Sequence, residues 1–188
     1  KVNTFRGFLV DCYVRIDAML NGKPFRLQPM EGSSVFINQP DLFEIQEDVI
    51  VVGMENAENF MQIRSQRWLF DALFPGKQLL FVCRYPQENL ENLRSWLLRI
   101  PNRYVHFGDF DLAGVHIYLS EIYAHLGNRS SFLVPSDIEE RLAEGNAALY
   151  NQQYARFKNM AVTDIRLQPL VNMIHHYRRG YEQEGYIR

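Results

Sequence analysis

The chain predicts an α/β fold: a mostly parallel sheet with helices on both faces, preceded by a small β-rich segment. Three observations carry this. From Asp48 onward, short unbroken apolar runs alternate with stretches whose apolar residues recur at helical spacing, the pattern of strands buried on both faces and joined by crossover helices. Before Asp48 the apolar residues partly alternate, and turn signals interrupt them. The 188 residues, 47% hydrophobic and 22% charged, suffice for one domain and a little over, with a core that needs no staples.

In the β-rich segment, residues 1–48, an apolar stretch over 5–20 leads to Asn21-Gly22, a hairpin turn signal before Lys23-Pro24-Phe25-Arg26-Leu27. Val35-Phe36-Ile37 is a further short strand and Pro40 a break. The α/β domain with its helical C-terminal extension then occupies residues 49–188. Val49-Ile50-Val51-Val52 is its first strand, and Phe60, Ile63, Phe70 and Phe74 mark a helix ending at Pro75-Gly76. Leu79-Leu80-Phe81-Val82 is the second strand, followed by a helix carrying Leu90, Leu93, Leu97 and Ile100 and stopped by Pro101. Tyr104-Val105-His106-Phe107 is the third, with Val115, Leu119, Ile122 and Leu126 on the next helix. Phe132-Leu133-Val134 is a short fourth strand. Ser136-Asp137-Ile138-Glu139 has the form of a capping box. Pro169 precedes a last helix over 170–177, with Gly180 as its stop.

Composition narrows the function classes. Lys and Arg number 20 against 22 Asp and Glu, a net charge of −2. That balance argues against a general polyanion binder while leaving room for a local basic groove. Two cysteines, Cys12 and Cys83, are too few for a disulfide framework or a structural zinc site. Cys83 lies in an apolar run and reads as a buried thiol, which fits a reducing, cytoplasmic setting. No apolar run approaches the roughly 20 residues of a bilayer span. Opening on Lys1 rather than Met, the chain reads as a fragment of a longer protein.

Parallel sheets place their sites beyond the carboxyl ends of the strands. Two acidic segments fall there: Gly53-Met54-Glu55-Asn56-Ala57-Glu58-Asn59-Phe60 and Gly108-Asp109-Phe110-Asp111-Leu112-Ala113-Gly114. In extended chain Asp109 and Asp111 point the same way. With Glu55 they would form a cluster of carboxylates that repel one another unless a cation neutralises them, and hard oxygen ligands suit Mg2+ or Mn2+. Each acid also has a structural reading, as an N-cap or as a partner of a helix dipole. Glu58, one turn on from Glu55, is either a ligand of a second ion or a solvated helix acid. His106 reads as a core histidine and His116 as a weak candidate proton shuttle.

The order strand–Glu–helix, strand–helix, strand–Asp-x-Asp–helix resembles the Toprim domain of topoisomerases, primases and related nucleases. Glu55-Asn56 with Phe60, and the run from Gly108 to Gly114, resemble the E-N…F and G-D-x-D-x-x-G signatures of two relatives. These are the A subunit of topoisomerase VI and the JetD/MksG-type nuclease subunit of Wadjet, a condensin-like plasmid-defence system. Tyr181-Glu182-Gln183-Glu184 is similar to the L-E-Q-E ending of that nuclease. The resemblance covers residues 49–118, more weakly 170–188, and does not reach 1–48.

The resemblance implies a Toprim-like fold and an acidic site of Glu55, Asp109 and Asp111 holding Mg2+ or Mn2+, with Glu58 as a further ligand. It implies hydrolysis of double-stranded DNA, condensin-like subunits as partners, and a homodimer. Hydrolysis fits better than tyrosyl transfer, because no tyrosine sits in a recognisable nucleophile motif. Candidate phosphate contacts are Arg84, Arg64, Arg67, Arg178 and Arg179, with Arg103 and the neighbouring His175 and His176. Two departures support an alternative, a degenerate module that binds DNA or a protein without cutting. Ala57 stands where that nuclease pattern carries an acid, and Arg84 follows the second strand where a glycine-rich turn is expected. A haloacid-dehalogenase-like or receiver fold is disfavoured for want of its nucleophile loop and strand-end lysine.

Overall fold

Unbroken apolar runs do become the sheet's central strands. The computed structural model describes residues 6–85 and 90–188, so position 5, where the apolar stretch over 5–20 begins, lies outside the described residues. The strands are β1 (Phe8–Cys12), β2 (Ile16–Leu20), β3 (Lys23–Leu27), β4 (Val35–Ile37), β5 (Phe43–Ile45), β6 (Ile50–Met54), β7 (Leu79–Cys83), β8 (Tyr104–Phe107) and β9 (Ser130–Phe132). The helices are α1 (Ala57–Met61), α2 (Arg67–Leu73), α3 (Leu90–Arg99), α4 (Leu112–Ile117), α5 (Ala124–Leu126), α6 (Ile138–Ala143), α7 (Ala147–Phe157) and α8 (Gln168–Tyr177). Every residue of β6, β7 and β8 is buried, so both faces of the sheet are covered. Among the described residues no helix is long and apolar enough to cross a membrane.

The fold is mixed α/β. Six strands in the order β4-β1-β7-β6-β8-β9 form a mostly parallel sheet. β6 runs parallel to β7 and β8, and β8 to β9, whereas β1 is antiparallel to both its neighbours. A separate antiparallel sheet of three strands has the order β3-β2-β5. Its β2–β3 hairpin turns at Asn21 and Gly22, both at positive φ (53° and 68°), the two-residue turn that Asn-Gly favours. The first 48 residues thus divide between two sheets, with β1 and β4 in the main one. Trp96 of α3 joins them: its Nε1 donates to Phe43 O at 2.9 Å, and its ring meets Phe8 and Phe43 at 5.1 and 5.5 Å.

Four local expectations need correcting. The helix over Phe60 to Phe74 is two helices, α1 and α2, separated by a 3-10 turn at Ile63–Gln66. The buried Gln66 amide donates to Asn59 O and Gln62 O and accepts from Asn59 Nδ2, supplying partners that a continuous helix would draw from backbone. The fourth strand forms at Ser130–Phe132, two residues early. Ser130 is buried because its hydroxyl donates to Gly127 O at 2.8 Å. No capping box forms: Asp137 holds the N-cap position of α6 without a capping bond, and its carboxylate instead takes Arg141 at 2.6 Å. α8 ends at Tyr177 with Arg178 in the left-handed region (φ 52°), ahead of Gly180.

Candidate functional site

β6 and β8 are adjacent and in register, with Met54 opposite Phe107. Glu55 N donates to Phe107 O at 3.0 Å, carrying the ladder one residue further. Glu55 and the Gly108-Asp109 pair therefore leave the same edge. Asn56 caps α1 by accepting from Glu58 N at 2.7 Å, which turns the chain immediately after Glu55. Glycine at 108 leaves room for the Glu55–His106 pair, since a Cβ there would lie 2.3 Å from Glu55 Oε2 and 2.7 Å from His106 Nε2 and one of them would have to shift.

Glu55 Oε2 accepts from His106 Nε2 at 3.1 Å, and Arg84 stands 3.9 Å away. Burial opposes the Glu55 charge, but the His106 bond and the Arg84 guanidinium outweigh it and hold its pKa below the usual carboxylate value. His106 is fully buried, and burial chiefly lowers its pKa. The neutral ring therefore carries its proton on Nε2 toward Glu55 and turns Nδ1 to Arg84 at 3.5 Å. Arg84, buried directly after β7, donates to Glu121 at 2.7 Å. It is an internal ion-pair partner between two carboxylates.

Asp109 is placed differently. Its Oδ1 accepts from Gln183 N at 2.9 Å. Burial pushes its pKa up to about 7, and the Asp111, Glu55 and Glu184 carboxylates add to the rise against that one hydrogen bond. A carboxylate in such a field calls for a proton or a cation.

Asp111 does not join Glu55 and Asp109 in the cleft. It is the N-cap of α4, accepting from Gly114 N at 2.8 Å, and its other oxygen takes Gln153 Nε2 at 2.6 Å. Glu58 is exposed and accepts from Gln62 Nε2 at 3.0 Å. The basic candidates are scattered. Arg64 pairs with Asp11 at 3.2 Å and Arg67 with Asp71 at 3.1 Å. Arg178 lies 6.0 Å from the Tyr150 ring, Arg103 5.7 Å from Phe74, and Arg179 donates to Gly145 O at 2.8 Å.

The C-terminal segment closes one side of the site. Phe110 and Tyr181 exchange backbone hydrogen bonds, and Asn59 Nδ2 donates to Gln183 O at 3.0 Å. Asn56 Nδ2 donates to Glu184 Oε1. Glu184 is thus brought to the site, whereas Glu182 is exposed. Two contributors carried no sequence signal that marked them, Glu121 and Gln153; Gln183 lies in the Tyr181–Glu184 run singled out above, but that run did not show that its backbone N–H would meet Asp109.

The result is a cleft of about 310 Å³ lined by Glu55, Asn56, Ala57, Arg84, Asp109 and Gln183, among others. Among the described residues no three His, Cys, Asp or Glu side chains form a ready-made metal group. The donor set still suits a hydrated hard cation, since Mg2+ characteristically uses one or two carboxylates and fills its other positions with water and substrate phosphate. Glu55 and Asp109 provide those two. Beside them, Gln183 Oε1 and Glu184 Oε2 are buried acceptors without donors.

Residues 13–188 match a protein family described as a domain of unknown function, DUF7281. No curated protein matches the chain.

Proposed function

The chain belongs to the DUF7281 family, and from its site we propose that it is a Toprim-type, divalent-metal-dependent hydrolase of double-stranded DNA. The observation that carries the proposal is the shared cleft of Glu55 and Asp109, at the carboxyl ends of adjacent parallel strands. These two carboxylates would hold Mg2+ or Mn2+, which supplies charge neutralisation at a phosphate oxygen and a more acidic bound water. The chain's own residues orient the pair. His106 fixes the Glu55 carboxylate from below, and the Gln183 N–H fixes one oxygen of Asp109. Asp111 serves as a positioning residue, holding the loop after β8 against α4 and α7. The likeness of the motifs extends the proposal to a cytoplasmic protein, acting as a homodimer beside condensin-like subunits.

The test is incubation of supercoiled and linear DNA with Mg2+ or Mn2+, using the protein and an Asp109→Ala variant. The expected result is metal-dependent cutting that leaves free 5′ phosphates and falls at least about 100-fold in the variant. Absence of cutting by folded protein in either metal would sink the hydrolytic reading.

One observation favours a second reading, a module that binds DNA or a protein without cutting. Arg84 stands 3.9 Å from Glu55 and already supplies it with a counter-charge. DNA binding without cleavage, unchanged in Asp109→Ala, is the outcome that selects it.

A further inference from the structure

We propose that the groove between α4 and α7 is a track for the DNA phosphate backbone leading away from the acidic cleft; this rests on the DNA reading above. The groove has a volume of about 380 Å³ and is lined by His116, Ser120, Gln152, Arg156 and Phe157, among others. It adjoins the acidic cleft, because Ile117 and Glu121 line both. Gln153 in the groove wall ties α7 to the start of α4, donating to Asp111 Oδ2 and accepting from Ala113 N at 3.0 Å.

Charge separates the two cavities. The cleft carries Glu55 and Asp109, whereas the groove's one carboxylate is Glu121, and Arg84 neutralises it at 2.7 Å. Facing it are donors. Arg156 is exposed and, among the described residues, has no carboxylate partner. Its guanidinium stacks on Phe157 with 4.9 Å to the ring centroid, and the His116 ring meets the same phenyl at 4.9 Å. The shared apolar surface holds both cationic or hydrogen-bonding heads beside the exposed Gln152 amide. A guanidinium, an imidazole and an amide around an aromatic floor match an anionic backbone with sugar between its charges. The geometry also gives Arg84 a task other than phosphate contact, since without it Glu121 would repel a strand passing from groove to cleft.

The test measures binding of a short labelled duplex by fluorescence anisotropy in EDTA across a salt series, apart from cleavage. Arg156→Glu is compared with Arg26→Glu, a charge reversal on β3, in the other sheet. The expected result is that Arg156→Glu weakens binding about tenfold and flattens the salt dependence by about one charge or more, while Arg26→Glu changes neither. Equal losses in the two variants, wild-type binding by Arg156→Glu, or no duplex binding by the unmodified protein would each overturn the track. So would displacement by an acidic polypeptide at concentrations where competing DNA has no effect. Binding that depends on Arg156 without any cutting would retain the track and reject hydrolysis. Cutting with an Arg156→Glu variant of unchanged affinity would do the reverse.

Discussion

Single side chains decide what the cleft can be. Gly108→Ala would drive a methyl group into Glu55 and His106 at 2.3 and 2.7 Å. It is expected to displace Glu55, lower the proposed metal-dependent cutting and cost about 1–3 kcal/mol of stability in urea unfolding, in line with other overpacked sites. A second residue gives a pH test away from the site. Asp164 is buried, which opposes its charge, but hydrogen bonds from Arg166 and from the Tyr118 hydroxyl more than offset this and lower its pKa. Because the folded value is the depressed one, its contribution is complete above the unfolded carboxylate pKa of about 4 and is lost as pH falls through the folded value. Asp164→Asn should therefore destabilise the protein by roughly 1–3 kcal/mol at neutral pH, with the gap to wild type closing in acid denaturation. At this scale Glu55 and Asp109 were legible as strand-end acids in a parallel sheet. The fate of Asp111 was not, because an N-cap and a ligand are the same residue type at the same strand-to-helix turn, and the choice depends on Gln153 some forty residues away.

Among the elements, β6, β7 and β8 were legible because a strand buried on both faces must be apolar throughout. The break between α1 and α2 was hidden, since Asn59 and Gln66 look like surface residues and are instead a buried, mutually bonded pair. The short C-terminal segment was harder still. It has few apolar residues, yet Tyr186 is fully buried, donates to Asp137 at 3.1 Å and lies under the Arg141 guanidinium at 4.0 Å. Tyr186→Ala is expected to cost roughly 3–5 kcal/mol, to open residues 181–188 to protease, and to abolish the proposed cutting with the sheet still folded by circular dichroism. Equal protease resistance in the variant and the wild type would contradict the account of this segment as one anchored by its tyrosine.

For the molecule as a whole, the alternation of strands and helices foretold the class of fold but not which strands are neighbours. Pairing is non-local, and nothing in residues 8–12 announces that they insert between β4 and β7. That insertion predicts the behaviour of residues 49–188 made alone. β7 would lose its antiparallel partner and present a fully apolar, unpaired edge, so the shortened chain should aggregate or precipitate, read as more light scattering than the whole chain gives at the same concentration. A second long-range feature bears on how the site comes and goes. The bonds from Asp109 to Gln183, Asn59 to Gln183 and Asn56 to Glu184 close loops of 74, 124 and 128 residues. Lengthening a loop from the shortest to the longest of these adds only about 0.5 kcal/mol of closure entropy. Once one of the three has formed, the others follow at little further entropic cost, and they release together in a local opening that leaves the sheet intact. The hydrogen-exchange rate of the Gln183 amide therefore measures how often the acidic cleft falls open, with no substrate needed.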